Sequence, residues 1–394
     1  MIKLIKSSYY NEKQTTKDLV KFIKSAKQFS FGPQCEGFEQ ALCKYQGRSH
    51  AIFVNSGSSA NLAIIQALIN LGRLTKGDKI AFSSLTWSTN VMPIIELGLE
   101  AVPVDVELDT LNVSSNTFLE VLKVQSNIKV LFLTNLLGFS DDIDVISEIC
   151  KDHGIILIED NCESMGSVYN KTKLGNYGLA STFSFYVGHH MSTIEGGAIL
   201  TDDEELSTML RLVRAHGWDR NLSLTKQEEM RNKFSVNSTF YSRYTFYDLG
   251  YNLRPTEING FLGITQLKYI DEILTKRNEN FMKMAPKIYT LSEKYYPIKY
   301  THMDFLSNFA VPVICKTSQI RDQLVKDCAD VVEIRPVVGG DMTEQPFFKK
   351  YASSRHSGVY NHNASLIHKN GLYFGNNPEL TEKEMNKIIS IFTQ

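Results

Sequence analysis

The sequence is short of several features that would narrow its class at once. Its six cysteines, Cys35, Cys43, Cys150, Cys162, Cys315 and Cys328, form no CxxC pair. Such wide, uneven spacing builds neither a zinc ribbon nor an iron–sulfur cluster. A chain of 394 residues needs no disulfide staples, so reduced thiols in the cytoplasm are expected. No apolar run approaches the roughly 20 residues of a membrane span. The start, MIKLIKSSYY, meets lysine too early for a signal peptide, so no membrane partner is expected. Neither sign of charge prevails. Forty-two basic residues against 43 acidic ones leave a net charge of -1, which gives no overall pull toward nucleic acid. What remains is a soluble, enzyme-sized chain. It is 43% hydrophobic and 11% aromatic, too long for one small core and too apolar for disorder.

Strand and helix patterns alternate through the first half. Strands are predicted over 51–54, 79–82, 101–104, 128–134, 155–159, 181–185 and 198–200. Helices are predicted over 17–27, 35–45, 61–71, 88–97, 117–124, 142–152 and 204–215. The run Ile155-Ile-Leu-Ile158 is apolar at every position, as a strand buried on both faces should be. The rhythm predicts an α/β fold, a mostly parallel sheet with helices on both faces. From 221 to 248 the pattern fails, and a long irregular excursion over a surface or a site is expected. Past Pro255, helices over 257–270 and beyond 271, strands over 310–314 and 331–335, and helices over 319–329 and 382–391 suit a smaller α+β domain. The expected division is 1–255, with an N-terminal arm, and 256–394.

Four stretches carry candidate chemistry. Asn55-Ser-Gly-Ser-Ser-Ala60 lies between a strand and a helix, where glycine, hydroxyls and a helix N-terminus make a phosphate cradle. It is neither a Walker nor a Rossmann motif, and a plain serine cap would look the same. Glu159-Asp-Asn-Cys-Glu163 follows an apolar strand, putting carboxylates where open α/β sheets bind ligands. In Ser184-Phe-Tyr-Val-Gly-His-His190 two adjacent histidines offer a proton shuttle; neighbours point apart, so at most one faces a given ligand. His216-Gly-Trp218 and Gly250-Tyr-Asn-Leu-Arg254 are loops in which arginine could take a phosphate. Trp87, after another strand end, could stack on a flat ring or plug the core. Together these are the parts that a flat phosphorylated cofactor needs; pyridoxal chemistry calls for them, as a carboxylate for the ring nitrogen, an anion site and a base, though spacing alone does not compel that choice of cofactor.

The stretches VNSGSSANL, LTWSTN, LIEDNCESMGS, SFYVGHHMSTIEGGAI, RAHGW and GYNLRPTEINGFLG make the chain resemble the sugar aminotransferases of the DegT/DnrJ/EryC1/StrS type. These are fold type I pyridoxal phosphate enzymes, with the aspartate aminotransferase fold. The resemblance runs from about residue 30 to the C-terminus. It implies Gly57, Ser58, Ser59 and Ser184 at the cofactor phosphate, Trp87 on its ring, Asp160 at the pyridine nitrogen and Glu163 near its hydroxyl. It implies Asn252 at the cofactor and Arg254 at the substrate, on a loop that reaches into a partner's site in a homodimer. His216 resembles a second, substrate-side catalytic histidine.

One departure matters most. Members of the family carry a lysine six residues after the Ser184 position, give or take one, and here that place holds His189. Imidazole cannot form the lysine's imine with the cofactor, but it can take and return a proton. The histidine resembles the 3-dehydratase subgroup, which implies pyridoxamine 5'-phosphate held without a covalent tether and a nucleotide-linked 4-keto-6-deoxy sugar as substrate. L-Glutamate would then regenerate pyridoxamine phosphate from pyridoxal phosphate. Relatives that need an iron–sulfur cluster carry cluster-spaced cysteines, which this chain lacks. An ordinary sugar aminotransferase and an inactive member of the fold are the competing expectations.

Overall fold

The computed structural model describes residues 1–352 and 361–394. Seven strands form the main sheet: β1 (His50–Val54), β2 (Lys79–Ser83), β3 (Glu100–Val104), β4 (Ile128–Thr134), β5 (Ile156–Asp160), β8 (Ala180–Ser184) and β9 (Gly197–Thr201). A small hairpin, β6 (Val168–Tyr169) and β7 (Thr172–Lys173), intervenes in the chain. The order is β1-β9-β8-β5-β4-β2-β3. Pairing is parallel from β8 to β3, while β9 runs against both of its neighbours. The inner strands are buried along nearly their whole length, as a sheet covered on both faces demands. The expected mostly parallel α/β sheet is therefore present, with one reversed strand that no pattern had distinguished.

Helices fill both faces, with three differences from expectation. The helix expected over 61–71 is Gly57–Asn70, so it begins inside the serine-rich string. Ser56 caps it, its Oγ accepting the Ser59 N–H at 3.0 Å. The helix expected over 88–97 is broken into a 3-10 turn, Ser88–Asn90, and a single turn, Met92–Glu96. Pro93 has no N–H to carry a helix across that break. The stretch 221–248 is not irregular throughout. Ser223 caps a helix, Leu224–Lys233, that buries none of its residues. A helix polar on every side leaves no apolar period to detect.

A second sheet of three strands, β10 (Ala310–Ile314), β12 (Gly371–Gly375) and β11 (Ile334–Pro336), lies beyond the long helix Ile270–Tyr289. The strand expected over 331–335 starts later, at Ile334, and the middle strand β12 was not expected at all. Its GLYFG sequence is too short to show alternation. Helices Pro346–Tyr351 and His362–Asn370 also escaped notice. The small sheet shares one apolar core with the large one, Phe281, Val311 and Phe374 joining Leu131, Leu133 and Phe139. Helix Glu257–Leu267 lies against helix Pro33–Gln46, where a Cβ on Gly260 would come within 2.5 Å of the Cys35 nitrogen. The N-terminal arm is pinned across the small sheet: Ile2 bridges to Val332, and Lys6 pairs with Glu384 at 2.7 Å. No helix among the described residues is long and apolar enough to cross a membrane.

Candidate active site

The C-terminal ends of β5 and β8, with the turn after β1, open onto a cavity of about 390 Å³. Crevices at such strand ends are where open α/β sheets take ligands. Gly57, Ser58, Trp87, Asp160, Glu163, Ser184 and His189 all line it. Four separate stretches of sequence thus converge on one space.

At one wall, helix Gly57–Asn70 points its N-terminus at the cavity. A helix start leaves its first N–H groups free and carries a partial positive charge. Ser56 takes the Ser59 N–H, so the Gly57 and Ser58 groups remain for an anion. Ser184 closes in from β8, where a Cβ on Gly57 would stand 2.7 Å from the Ser184 Cβ. Glycine is required here by close approach.

The acidic string divides by strand alternation. Glu159 turns away from the cavity into the protein. Its carboxylate accepts the N–H groups of Gly175, Tyr177 and Gly178 at 2.6, 2.7 and 2.8 Å, so it ties down a turn. Asp160 turns to the cavity, where its Oδ2 accepts from Asn61 at 3.0 Å and from Asn90 at 2.7 Å. Its Oδ1 accepts the Cys162 N–H at 2.9 Å. Glu163 takes the Leu137 N–H at 2.9 Å, and Leu137 holds a left-handed φ of 54° to offer it. Burial pushes the Glu163 carboxyl up to about 8, with the nearby Asp160 charge adding to the rise. At neutral pH it is a proton donor.

His189 sits in the loop between β8 and β9, whose base is closed by the Ser184–Gly197 pair. Its ring lies 5.4 Å from the Phe309 ring and 5.9 Å from that of Tyr186. Desolvation lowers its pKa to about 4 despite the opposing pull of Asp160. The imidazole is neutral at physiological pH and able to accept a proton. His190 faces elsewhere, its Nε2 3.2 Å from the Ser307 carbonyl oxygen. The cavity is lined by no lysine among the described residues.

Four expected residues lie apart from this cavity. Ser59 is not among the lining residues, and its Oγ accepts the Ser56 hydroxyl at 2.9 Å. His216, Asn252 and Arg254 form their own cluster: Ala215 bridges to Asn252, the Arg254 Nε donates to Asn252 at 2.9 Å, and its Nη2 lies 3.4 Å from His216 Nε2. Beside them Trp218 carries Arg220 on its face at 4.1 Å. Phe240, Tyr241, Tyr244 and Phe246 are each more than half exposed nearby in the chain.

Sequence reading missed several lining residues, among them Asn61, Asn90, Tyr186, Arg335 and Tyr373. Asn61 and Asn90 fall inside motifs already singled out. Arg335 and Tyr373 come from the small sheet, which no local signal connects to the cavity.

The donor set fits a flat, phosphorylated pyridine. The buried Oδ1 atoms of Asn61 and Asn90 and Nδ1 of His189 have no partner, and Trp87 presents a half-exposed indole at the rim. An anion would sit on the helix start, a ring N–H on Asp160, and the indole over the ring.

A model of the DegT/DnrJ/EryC1/StrS aminotransferase family matches residues 10–393. The GDP-4-keto-6-deoxy-D-mannose 3-dehydratase of Escherichia coli O55:H7 (strain CB9615 / EPEC) is 35% identical over 362 residues, 91% of each chain. A crystal structure of GDP-4-keto-6-deoxymannose-3-dehydratase (ColD), a histidine-to-asparagine mutant with bound GDP-perosamine, superposes with a TM-score of 0.89 at 32% identity over 100% of both chains. Another, with a trapped PLP-glutamate geminal diamine, gives the same TM-score of 0.89, at 32% identity and over 100% of both chains.

Proposed function

This chain belongs to the DegT/DnrJ/EryC1/StrS aminotransferase family, and from that premise we propose that it is a pyridoxamine-phosphate-dependent 3-dehydratase. It removes the C3 hydroxyl of a nucleotide-linked 4-keto-6-deoxy sugar, GDP-4-keto-6-deoxy-D-mannose, leaving the 4-keto-3,6-dideoxy sugar. L-Glutamate restores the amine form of the cofactor and becomes 2-oxoglutarate, and the amino group leaves as ammonia. Glutamate is thus the reductant for the lost oxygen. The carrying observation is His189 standing in the cavity that also holds Asp160 and Ser184.

When bound, pyridoxamine phosphate supplies the amine that joins the C4 carbonyl and the ring that accepts electrons. The Gly57 and Ser58 N–H groups and the Ser184 hydroxyl bind its phosphate. Asp160, steadied by Asn61 and Asn90, keeps the pyridine nitrogen protonated. Trp87 covers the ring, and Glu163 donates toward its hydroxyl. His189 moves the proton at the cofactor's C4' carbon and delivers one to the departing C3 oxygen. A neutral imidazole suits the first task, and the imidazolium it becomes suits the second.

His216, Asn252 and Arg254 complete the site of a second copy in a homodimer, Asn252 toward the cofactor and Arg254 toward the substrate. Residues 1–255 form the cofactor-binding body and 256–394 the smaller part, with helix Glu257–Leu267 as their seam. The route is coenzyme-only, without an iron–sulfur cluster, in the cytoplasm, where the six free thiols persist.

The test is incubation with pyridoxamine phosphate, L-glutamate and a panel of nucleotide-linked 4-keto-6-deoxy sugars, followed by mass spectrometry. Loss of one oxygen from the GDP-linked sugar is expected. Gain of an amino group instead would make the chain an ordinary aminotransferase, and no cofactor uptake would make it an inactive member.

A further inference from the structure

Arg277 is buried on helix Ile270–Tyr289 and does not line the cavity. It borders a second, small space of about 30 Å³ that shares His189 with the cavity. Its Nη1 donates to the carbonyls of Asn376 at 2.5 Å and Phe309 at 3.5 Å, and its Nη2 donates to the carbonyl of His189 at 3.1 Å. Those oxygens belong to three separate segments: the histidine loop, the approach to β10 and the exit from β12. Phe309 also packs its ring against the His189 ring. One side chain therefore holds both the histidine's main chain and the residue that buttresses its imidazole.

Three carbonyls could be tied by neutral amides, as Asn376 does when it donates to Arg277 and Asn308. A buried guanidinium is costly without a counter-charge. No carboxylate pairs with Arg277 among the described residues, and its Nε is buried without a partner. The charge itself calls for a purpose.

We propose that Arg277 is a positioning residue for His189, fixing the histidine's main chain and, through the Phe309 carbonyl, the ring that packs against its imidazole. This rests on the reading of His189 as the base. The other titratable groups lining the two spaces that share His189 are Asp160 on β5, Cys162 and Glu163 after it, His190 and Tyr186 on the histidine's own loop, Glu195 at that loop's end, Arg335 and Tyr373 from the small sheet, and Tyr9 and Tyr10 on the N-terminal arm. Asp160 favours the imidazolium, and Arg277 opposes it. That opposition adds to burial, which is the main reason the imidazole stays neutral.

The test uses the holoenzyme with ¹³C-labelled histidine, the His189 signal assigned by its loss in His189→Asn. NMR titration is paired with the pH profile of single-turnover dehydration. Arg277→Gln is expected to raise the His189 midpoint and to carry the acid limb of the profile with it. Arg277→Lys keeps the charge without the fork. It should hold the midpoint near the wild-type value while kcat falls about ten-fold at unchanged KM. A His189 midpoint unmoved in Arg277→Gln, or a wild-type kcat in Arg277→Lys, overturns the proposal. If Arg277→Gln does not fold, the kcat of the lysine variant decides. Dehydration that persists in His189→Asn, with the midpoint still moved by Arg277→Gln, would instead sink the base assignment and leave the arginine's role standing.

Discussion

Asn90 donates from its Nδ2 to Oδ2 of Asp160 at 2.7 Å, and so fixes which way the cavity's aspartate faces. Asn61 reaches the same oxygen from the helix that carries the anion site. The proposed ring site and phosphate site are thereby built from one network. Asn90→Leu should weaken pyridoxamine phosphate binding about ten-fold, the worth of one charge-assisted hydrogen bond, as read by absorbance titration. Asp160→Asn should cost more, lowering single-turnover dehydration at least about 100-fold.

The two glutamates flanking that aspartate should fail differently. Glu159→Gln puts an amide among three backbone donors and should lower stability by about 2–3 kcal/mol. Activity per folded molecule should stay close to wild type. Calorimetry and active-site titration separate the two effects.

Stability should depend on pH through Glu163 and His189, in opposite senses. Burial holds the folded Glu163 carboxyl at about 8, above the 4.5 of a free glutamate. Its contribution is full below about 4.5 and is lost as pH rises to about 8. Glu163→Gln cannot ionise, so its melting temperature should gain on wild type across that window. Burial holds the folded His189 imidazole at about 4, below the 6.5 of a free histidine. Its contribution is present above about 6.5 and is lost as pH falls toward 4. In His189→Asn the melting temperature should fall less between those two values.

Gly57→Ala adds a methyl 2.7 Å from the Ser184 Cβ and 3.0 Å from the Cys162 sulfur. Both neighbours belong to the main sheet or its first turn and cannot retreat freely. A loss of about 1–3 kcal/mol in stability and a larger proportional loss of cofactor affinity are expected, measured by denaturant unfolding and absorbance titration.

The exposed aromatics test the proposed dimer. Tyr244→Asp combined with Phe240→Asp should yield monomers in sedimentation velocity. Those monomers should have lost dehydration while helix content is kept. Monomeric wild-type protein with full activity would remove the partner from the site.

Much of this was legible in the sequence because the site sits at strand ends, where local pattern and chemistry coincide. The string at residues 55–60 reads as a helix start and as an anion site for one reason, its free N–H groups. Asp160 and Glu159 could not be told apart by composition, though strand alternation separates them once the β5 register is known. The small-sheet contributors, Arg335 and Tyr373, were out of reach. Their place depends on the arm at Ile2 and on β12, whose five residues bear no periodic mark. Helix Leu224–Lys233 was lost for the opposite reason: it buries nothing, so its pattern carries no period.

The reversed strand β9 has a consequence for how such chemistry can be changed. Because β8 and β9 are antiparallel neighbours joined at Ser184 and Gly197, the segment 185–196 leaves the sheet and returns to it through a closed base. A loop anchored in that way can be rewritten without shifting the register of any strand. His189, proposed above to exchange a proton with the cofactor in place of a tethering lysine, lies within this segment. The proposed reaction is therefore carried on an exchangeable segment, and the open sheet with its covering helices serves either version.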